Sequence, residues 1–159
     1  MTRSARFEQW VPVPLDRVFG FFSDPRNLPR LMPPELDARI ASIEPAPPAR
    51  LGTEITLSVR LLPPLPVRTP WIARIVELVP GSHFADVQVK GPFRSWRHRH
   101  GFEASARDGK DGTLVRDEVE FDVGFGALGE AAARLLVGPR LEATFAERQR
   151  RLADLLAGD

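Results

Sequence analysis

The sequence predicts an α+β protein in which one strand and two short helices are followed by six strands and a helical C-terminus. Runs of alternating apolar and polar residues, typical of half-buried strands, fill much of residues 36–123. Apolar residues at helical spacing dominate after Gly126. The sequence contains neither a glycine-rich phosphate loop nor an alternation of strands with long helices, which argues against a nucleotide-binding fold.

The composition is that of an ordinary globular domain. The 159 residues suffice for one domain with its own core, so we expect a single domain over residues 1–159. The 22 basic and 21 acidic residues are interspersed and leave a net charge of +1, so nothing indicates a nucleic-acid partner. There are no cysteines, no apolar N-terminal signal and no apolar stretch of about 18 residues. We therefore expect a cytoplasmic protein without membrane insertion.

The N-terminal part is predicted to form a strand and two short helices. Residues 6–13 alternate loosely and indicate the first strand. Pro14 fits the first turn of a helix, where its missing N–H is no loss, and apolar residues then recur at helical spacing over 15–23. Asp24, which precedes a proline, predicts the N-cap of a second helix that runs towards Leu31.

Further strands are predicted before the middle of the chain. They cover residues 36–44, 53–62, 71–79 and 83–90, of which 53–62 alternates most cleanly. The segment 63–70, PPLPVRTP, is predicted to be a loop or a sheet edge, because proline cannot donate to the hydrogen-bond ladder of a sheet.

The central prediction is a β-hairpin over residues 91–123. Its two alternating runs flank a polar turn with two Asp-Gly pairs, which favour hairpin turns because glycine tolerates positive φ. Side chains alternate across a strand, so each run has one mainly apolar face. These faces consist of Trp96, His98, His100 and Phe102, and of Val115, Asp117, Val119 and Phe121. If the turn pairs Ser105 with Gly112, then His100 lies opposite Asp117.

The chain after Gly126 is predicted to be helical with an interruption. Its apolar residues form two stripes, one of Leu128, Ala132, Leu135 and Leu136 and one of Leu141, Phe145, Leu152, Leu155 and Leu156. Gly138 and Pro139 lie between the stripes, and proline inside a helix removes a hydrogen bond and clashes with the preceding turn. We expect a short helix, a break or kink, and then a long helix over about 139–156. The arginines at 148, 150 and 151 are interpreted as a solvated helix face.

Three segments carry a family resemblance: PVPLDRVFGFFSDPRNLPRLMPP, GPFRSWRHRHGFE and GTLVRDEVEF. The first contains Asn27, Leu28, Leu31 and Pro33, and the second contains Trp96, His98, His100 and Phe102. With these motifs nearly the whole chain resembles the START-like helix-grip superfamily (SRPBCC), especially its polyketide cyclase/dehydrase-like, bacterial ligand-binding branch. The resemblance implies a curved antiparallel sheet of about seven strands wrapped around the final helix, with an apolar cavity between them. It identifies the fold better than the activity.

The polar groups on the hairpin's apolar face are the candidate catalytic residues. A carboxylate beside an imidazole fixes its tautomer, so His98, His100 and Asp117 are candidate acid–base groups. The same groups could instead only line a pocket, hydrogen-bonded to one another or to water. Imidazole and carboxylate also suit zinc, but two histidines without a helical spacing are a weak metal pattern. We expect no metal and no cofactor.

A mainly apolar cavity face with a few polar anchors is typical of a ligand site. Asp86 and Gln88 belong to this face if the connection at Gly91 keeps the even-numbered positions of both strands on one side. The residues expected to line the site are Leu57, Val59, Trp71, Phe84, Asp86, Gln88, Trp96, His98, His100, Val119, Phe121 and Leu135.

These observations favour a carrier or sensor of a small hydrophobic molecule of lipid, polyketide or aromatic type. One alternative is a cyclase-, dehydratase- or hydrolase-like enzyme that uses His98, His100 and Asp117 as acid–base groups. Another is a protein-interaction module with a collapsed core. We expect a monomer or a weak homodimer.

Overall fold

The computed structural model of the protein describes residues 1–60 and 66–157. Within these ranges the strands form one antiparallel sheet in the order β1-β7-β6-β5-β4-β3-β2. The strands are β1 (Arg3–Val11), β2 (Arg39–Glu44), β3 (Glu54–Val59), β4 (Thr69–Val79), β5 (His83–Lys90), β6 (Ser95–Ala104) and β7 (Thr113–Asp122). The helices are α1 (Leu15–Ser23), α2 (Leu28–Leu31), α3 (Gly126–Ala132) and α4 (Gly138–Ala157). The expected helix-grip arrangement is confirmed.

The N-terminal elements follow their sequence signals, although β1 spans Arg3–Val11 and not the predicted 6–13. Helix α1 has the predicted bounds, and Asp24 caps the following turn by accepting a hydrogen bond from the backbone N–H of Arg26 at 3.0 Å. The strand predicted at 36–44 is shorter than expected, because Pro34–Leu36 forms a 3-10 turn and Asp37 adopts a φ of +40°. An extended strand therefore begins only after this left-handed residue.

The proline-rich segment is partly a sheet edge, as predicted, and residues 61–65 lie outside the described part of the chain. Strand β4 begins at Thr69 and includes Pro70, which pairs with Ser58 of β3. Pairing with β5 begins only at Ile72. Pro70 therefore has a neighbouring strand on one side, where a missing N–H is tolerated.

Of the break or kink expected at Gly138 and Pro139, the break is contradicted, because one helix runs from 126 to 157. A π-helical turn, Ala133–Val137, joins α3 to α4, and the Gly138 N–H donates to the carbonyl of Ala133, five residues back. In a regular α-helix the Pro139 ring would clash with the carbonyl four residues back. The wider π turn relieves this clash, so the helix continues. No helix in the described residues is long and apolar enough to cross a membrane.

Helix α4 fills the concave side of the sheet with the apolar stripe predicted for it. Leu141, Phe145, Leu152 and Leu156 are buried, and Leu155 is partly buried. The Phe145 ring stacks on Phe7 of β1 with centroids 4.2 Å apart. The stripe predicted before Gly138 is not buried, because the small residues Gly129 and Ala133 occupy the inner side of the helix in its place.

Candidate functional site

The hairpin of β6 and β7 has the register that its turn predicts. The Ser105 N–H donates to the Gly112 carbonyl at 2.9 Å, and Asp108 and Gly109 at the tip have φ values of +51° and +73°. These positive φ values are the backbone form that Asp-Gly pairs favour in tight hairpins. The register places His100 directly opposite Asp117, as expected.

Strand β5 adds a second carboxylate to the same face. Phe84 lies opposite His100, and Asp86 lies opposite His98. The even-numbered positions of β5 and β6 therefore share a face, which was the condition for Asp86 to join the site. The Phe84 ring stacks on His100 with centroids 4.3 Å apart.

Five side chains form what we call the buried polar cluster: Asp86, His98, His100, Asp117 and Arg148. Its hydrogen bonds run diagonally across the strands. His98 Nε2 donates to Asp117 Oδ1 at 2.8 Å, and His100 Nε2 pairs with Asp86 Oδ2 at 3.3 Å. His100 Nδ1 lies 3.0 Å from Asp117 Oδ1 and 3.3 Å from Arg148 Nη2. This nitrogen thus faces both an acceptor, Asp117, and a donor, Arg148. The tautomer of the His100 ring decides which of the two it bonds.

Arg148 is the member of the cluster that the sequence analysis placed wrongly. It is buried, whereas a solvated face was predicted for it. Its guanidinium carbon lies 5.3 Å from the centre of the Phe22 ring and 5.6 Å from that of Phe145. The sequence position of Arg148 could have indicated its burial, because Arg148 follows Leu141 and Phe145 and precedes Leu152 at helical spacing. An arginine in an apolar stripe indicates a buried partner of opposite charge.

The electrostatics of the cluster follow from its burial. Burial alone would raise the pKa of Asp117, but the Arg148 guanidinium and hydrogen bonds from His100 and His98 outweigh it and hold the pKa well below its usual value. Burial, aided by repulsion from His100 and opposed by Asp117, lowers the pKa of His98 to about 4. At neutral pH, therefore, Asp117 is a carboxylate and His98 is a neutral imidazole.

The cluster contains a potential set of metal ligands. Asp86, His98 and His100 each offer one ligand atom, and these atoms lie within 4.8 Å of one another. Two imidazoles and a carboxylate suit zinc. These side chains, however, already hydrogen-bond within the cluster, His98 to Asp117 and His100 to Asp86, and the positive Arg148 is close to His100. The arrangement supports a closed hydrogen-bond network better than a metal centre.

Beside the cluster lie four rings that we call the aromatic wall: Trp71, Phe93, Trp96 and Phe121. Trp71 and Trp96 meet edge to face with centroids 5.3 Å apart, and Phe93 lies 4.9 Å from Trp96 and 5.8 Å from Phe121. Phe121 is buried, while the other three rings remain partly exposed. Trp96 also contacts the His98 ring, at 6.4 Å. The wall is an apolar surface that the final helix leaves partly uncovered.

A cleft of about 250 Å³ opens next to the wall, between the sheet and the final helix. Its lining combines apolar residues, among them Phe121, Ala133, Pro139 and Leu141, with the polar side chains of Arg3, Ser4, Arg134 and Glu142. No member of the buried polar cluster lines this cleft. Phe121 is therefore the ring that the aromatic wall shares with the lining of this cleft.

The other residues predicted to line a ligand site lie in different places. Leu57 and Val59 are buried in an apolar cluster against which Trp71 of the aromatic wall packs, and Leu57 lies opposite Trp71 in the sheet. Val119 is buried in the same cluster as Phe121. Gln88 is committed to the β5–β6 turn, where its amide donates to the Phe93 carbonyl at 2.7 Å. Leu135 is not brought to the site: it is 71% exposed, because Ala133 takes the inward position on this turn of the helix.

Known structures share this fold. The chain is similar to protein TTHA0849 from Thermus thermophilus, with a TM-score of 0.69, 16% identity and 98% of each chain covered. Protein CV1439 from Chromobacterium violaceum gives a TM-score of 0.69 at 15% identity over 99% of each chain. Norcoclaurine synthase from Thalictrum flavum gives 0.66 at 14% identity, covering 100% of this chain and 88% of the synthase. At these identities the likeness establishes the fold alone.

The family assignment rests on the sequence. A search of proteins with curated functions found no match. The model of the family described as polyketide cyclase / dehydrase and lipid transport, in contrast, matches residues 11–150. Since this match spans most of the chain, the protein belongs to the polyketide cyclase/dehydrase and lipid transport family, within the SRPBCC type.

Proposed function

We propose that the protein binds a small, largely apolar molecule between the aromatic wall and the final helix, as a carrier or a sensor. The observation that carries this proposal is the continuity between the wall and the cleft through Phe121. Ligand pockets are typically concave and mainly apolar, with a few polar groups that fix orientation. The partly exposed rings of Trp71, Phe93 and Trp96 would gain burial when such a molecule binds.

The buried polar cluster supports a ligand with one polar end. Trp96 bridges the wall and the cluster, since its ring contacts both Phe121 and His98. Asp86 is the least buried member of the cluster, with a side chain that is 17% exposed. A hydroxyl or amine of the ligand could donate to this carboxylate, while the apolar body lies against the wall. Lipids, polyketides and aromatic metabolites all include molecules of this shape.

An acid–base enzyme of the cyclase or dehydratase kind is the second candidate. The observation that favours it is the pair of imidazole–carboxylate contacts, His98 with Asp117 and His100 with Asp86. A synthase also occurs among the proteins of similar fold. The low pKa of His98 makes it a weak base, and Asp117 already interacts with Arg148, His100 and His98. Binding without chemistry is therefore the better-supported function.

The proposal is tested by titrating the protein with an apolar fluorescent probe, N-phenylnaphthylamine, and by following the melting temperature. A ligand that binds only the native state raises the melting temperature in a dose-dependent way. Trp71→Ala should lower the affinity for the probe about tenfold, because the substitution removes a large part of the apolar contact area.

Trp10→Phe is the matched control for this experiment. Trp10 lies on β1, and its indole N–H donates to the Ser105 carbonyl at 2.8 Å, away from the aromatic wall. We expect this variant to bind the probe as the wild type does. Equal loss of affinity in both variants, or no rise in melting temperature with any apolar compound, would refute the proposed function.

A further inference from the structure

The N-terminal part of the final helix exposes large apolar side chains that we call the apolar patch. It consists of Phe125, Leu128, Leu135 and Leu136, which are 84%, 78%, 71% and 69% exposed. Single exposed leucines are common on proteins, but a group of four large apolar residues within twelve positions is not. Such patches on soluble domains usually mark a surface that contacts another molecule.

The fold itself forces these side chains outward. Gly129 is buried against the preceding loop, and Ala133 is buried against the sheet. A Cβ atom on Gly129 would lie 1.5 Å from the carbonyl oxygen of Gly124. Only the smallest residues fit on the inner side of this turn, so the leucines must occupy the outer side. The exposure of the patch is therefore a consequence of the backbone position and not of a side-chain rotamer.

Cationic groups surround the patch. Arg134 and Arg140 are exposed on the same stretch of helix, and no salt bridge involves either of them in the described residues. Arg94 packs against Gly124, next to Phe125. Of the neighbouring carboxylates, Glu130 is paired with Arg3 and Asp122 with the N-terminal ammonium, while Glu142 is exposed at the cleft.

This combination of positive charge and apolar surface indicates which kind of partner fits the patch. A second copy of the chain on the patch would bring four exposed arginines, Arg134 and Arg140 of each molecule, to one interface, where their like charges repel. An anionic lipid surface offers both acyl chains for the leucines and negative headgroups for the arginines. Ala133 and Arg134 also line the cleft, so the patch borders the opening described above.

We propose that the apolar patch docks the protein onto anionic lipid surfaces, and that the apolar ligand enters and leaves through the adjoining cleft. The part of this inference that makes the cleft a path for the ligand rests on the proposed function. A docked patch would let an apolar molecule pass between the lipid and the cleft without crossing bulk water.

Co-sedimentation with vesicles tests the docking. Vesicles of phosphatidylcholine alone are compared with vesicles that also contain phosphatidylglycerol. The wild type should bind the anionic vesicles, and salt should weaken the binding. The double variant Leu128→Glu/Leu135→Glu should lose at least about tenfold in affinity. The double variant Arg134→Gln/Arg140→Gln should lose about fivefold for each charge removed.

Two control variants match these changes away from the patch. Leu51→Glu alters a leucine that is 66% exposed beside Gly52 in the β2–β3 connection, and Arg50→Gln removes an exposed cation next to it. Both should bind vesicles as the wild type does. Circular dichroism and the melting temperature identify any variant that fails to fold. If the leucine double variant fails to fold, the vesicle binding of Arg134→Gln/Arg140→Gln decides the test.

The outcomes separate this inference from the proposed function. A wild type that binds no vesicles, or patch variants that bind as well as Leu51→Glu, would overturn the docking proposal. A wild-type dimer in sedimentation velocity that Leu128→Glu/Leu135→Glu converts to a monomer, without vesicle binding, would assign the patch to a second copy instead. Binding of N-phenylnaphthylamine in the absence of vesicles tests the ligand site alone, so either proposal can fail without the other.

Discussion

Arg148 on α4 and Asp117 on β7 form an ion pair in the interior, with Arg148 Nη2 3.6 Å from Asp117 Oδ1. Both side chains are buried, and each has further partners in the buried polar cluster. The pair connects the final helix to β7, the strand next to the β1 edge of the sheet. A buried ion pair stabilises a protein only when its geometry and its additional hydrogen bonds offset the loss of hydration.

Removing one member of this pair should therefore be more harmful than removing both. We expect Asp117→Ala to lower the free energy of unfolding by about 3–5 kcal/mol, because Arg148 remains charged and buried without its partner. The double variant Asp117→Leu/Arg148→Met should recover most of this loss. Urea denaturation measures both values, and a loss below about 1 kcal/mol for Asp117→Ala would show that the pair is solvated in solution.

The stability of the protein should depend on pH through His98. Its folded pKa of about 4 lies below the unfolded value of about 6.5, so the unfolded chain takes up the proton first as the pH falls. The stability contributed by neutral His98 is present in full above about pH 6.5 and is lost between there and about pH 4, by up to about 3 kcal/mol. Asp117, with its lowered pKa, contributes a loss only at more acidic pH.

The measurement is urea denaturation at a series of pH values in this window. His98→Gln cannot take up the proton, so we expect its free energy of unfolding to change less between pH 6.5 and 4 than that of the wild type. Asp117 and His100, which contact the His98 ring, and Asp86 and Arg148, which contact His100, are retained in both proteins. Identical pH profiles for the two proteins would contradict the prediction.

Two glycine-to-alanine substitutions in helices should have opposite effects. Gly20 in α1 has open space around its missing side chain, so Gly20→Ala should raise the free energy of unfolding by about 0.5–1 kcal/mol through helix propensity. Gly129→Ala gains the same propensity but places a methyl group on the Gly124 carbonyl. It should cost about 2 kcal/mol or more, as overpacked sites do. Stabilisation by both changes would show that α3 lies further from the loop.

Substitution of the histidines by glutamine distinguishes a carrier from an enzyme. If His98 and His100 only line the site, each change should alter ligand affinity by about tenfold or less, the contribution of one hydrogen bond. If one of them is a general base, the change should leave binding nearly intact and slow turnover about 100-fold or more. Calorimetric titration gives the affinity, and single-turnover kinetics on any compound found to react gives the rate. We expect the first outcome.

Much of the local structure could be read from the sequence because local chemistry determines it. The alternation of β6 and β7, together with the Asp-Gly turn, predicted that His100 lies opposite Asp117, and the register confirms this. The apolar spacing over 15–23 predicted α1 with its bounds, and the stripe from Leu141 to Leu156 predicted the buried face of α4. These features depend only on the periods of strands and helices and on the backbone preferences of glycine.

What the sequence did not show are contacts between segments that are distant in the chain. Arg148 was predicted to face solvent, because nothing near it in sequence shows that Asp117 and His100 lie across the core from it. The diagonal pairing of His98 with Asp117 depends on side-chain rotamers that register alone does not set.

The sequence by itself thus determined the strand and helix pattern, the family and the face of the hairpin that carries the polar groups. The tertiary structure alone decided the course of the chain around Pro139 and the direction of its neighbouring leucines. Propensity predicted a break or kink there, but the π turn relieved the clash of the ring, and Ala133 took the inward position on this turn, which left Leu135 exposed. Such outcomes depend on the space between packed segments, which no local pattern of residues specifies.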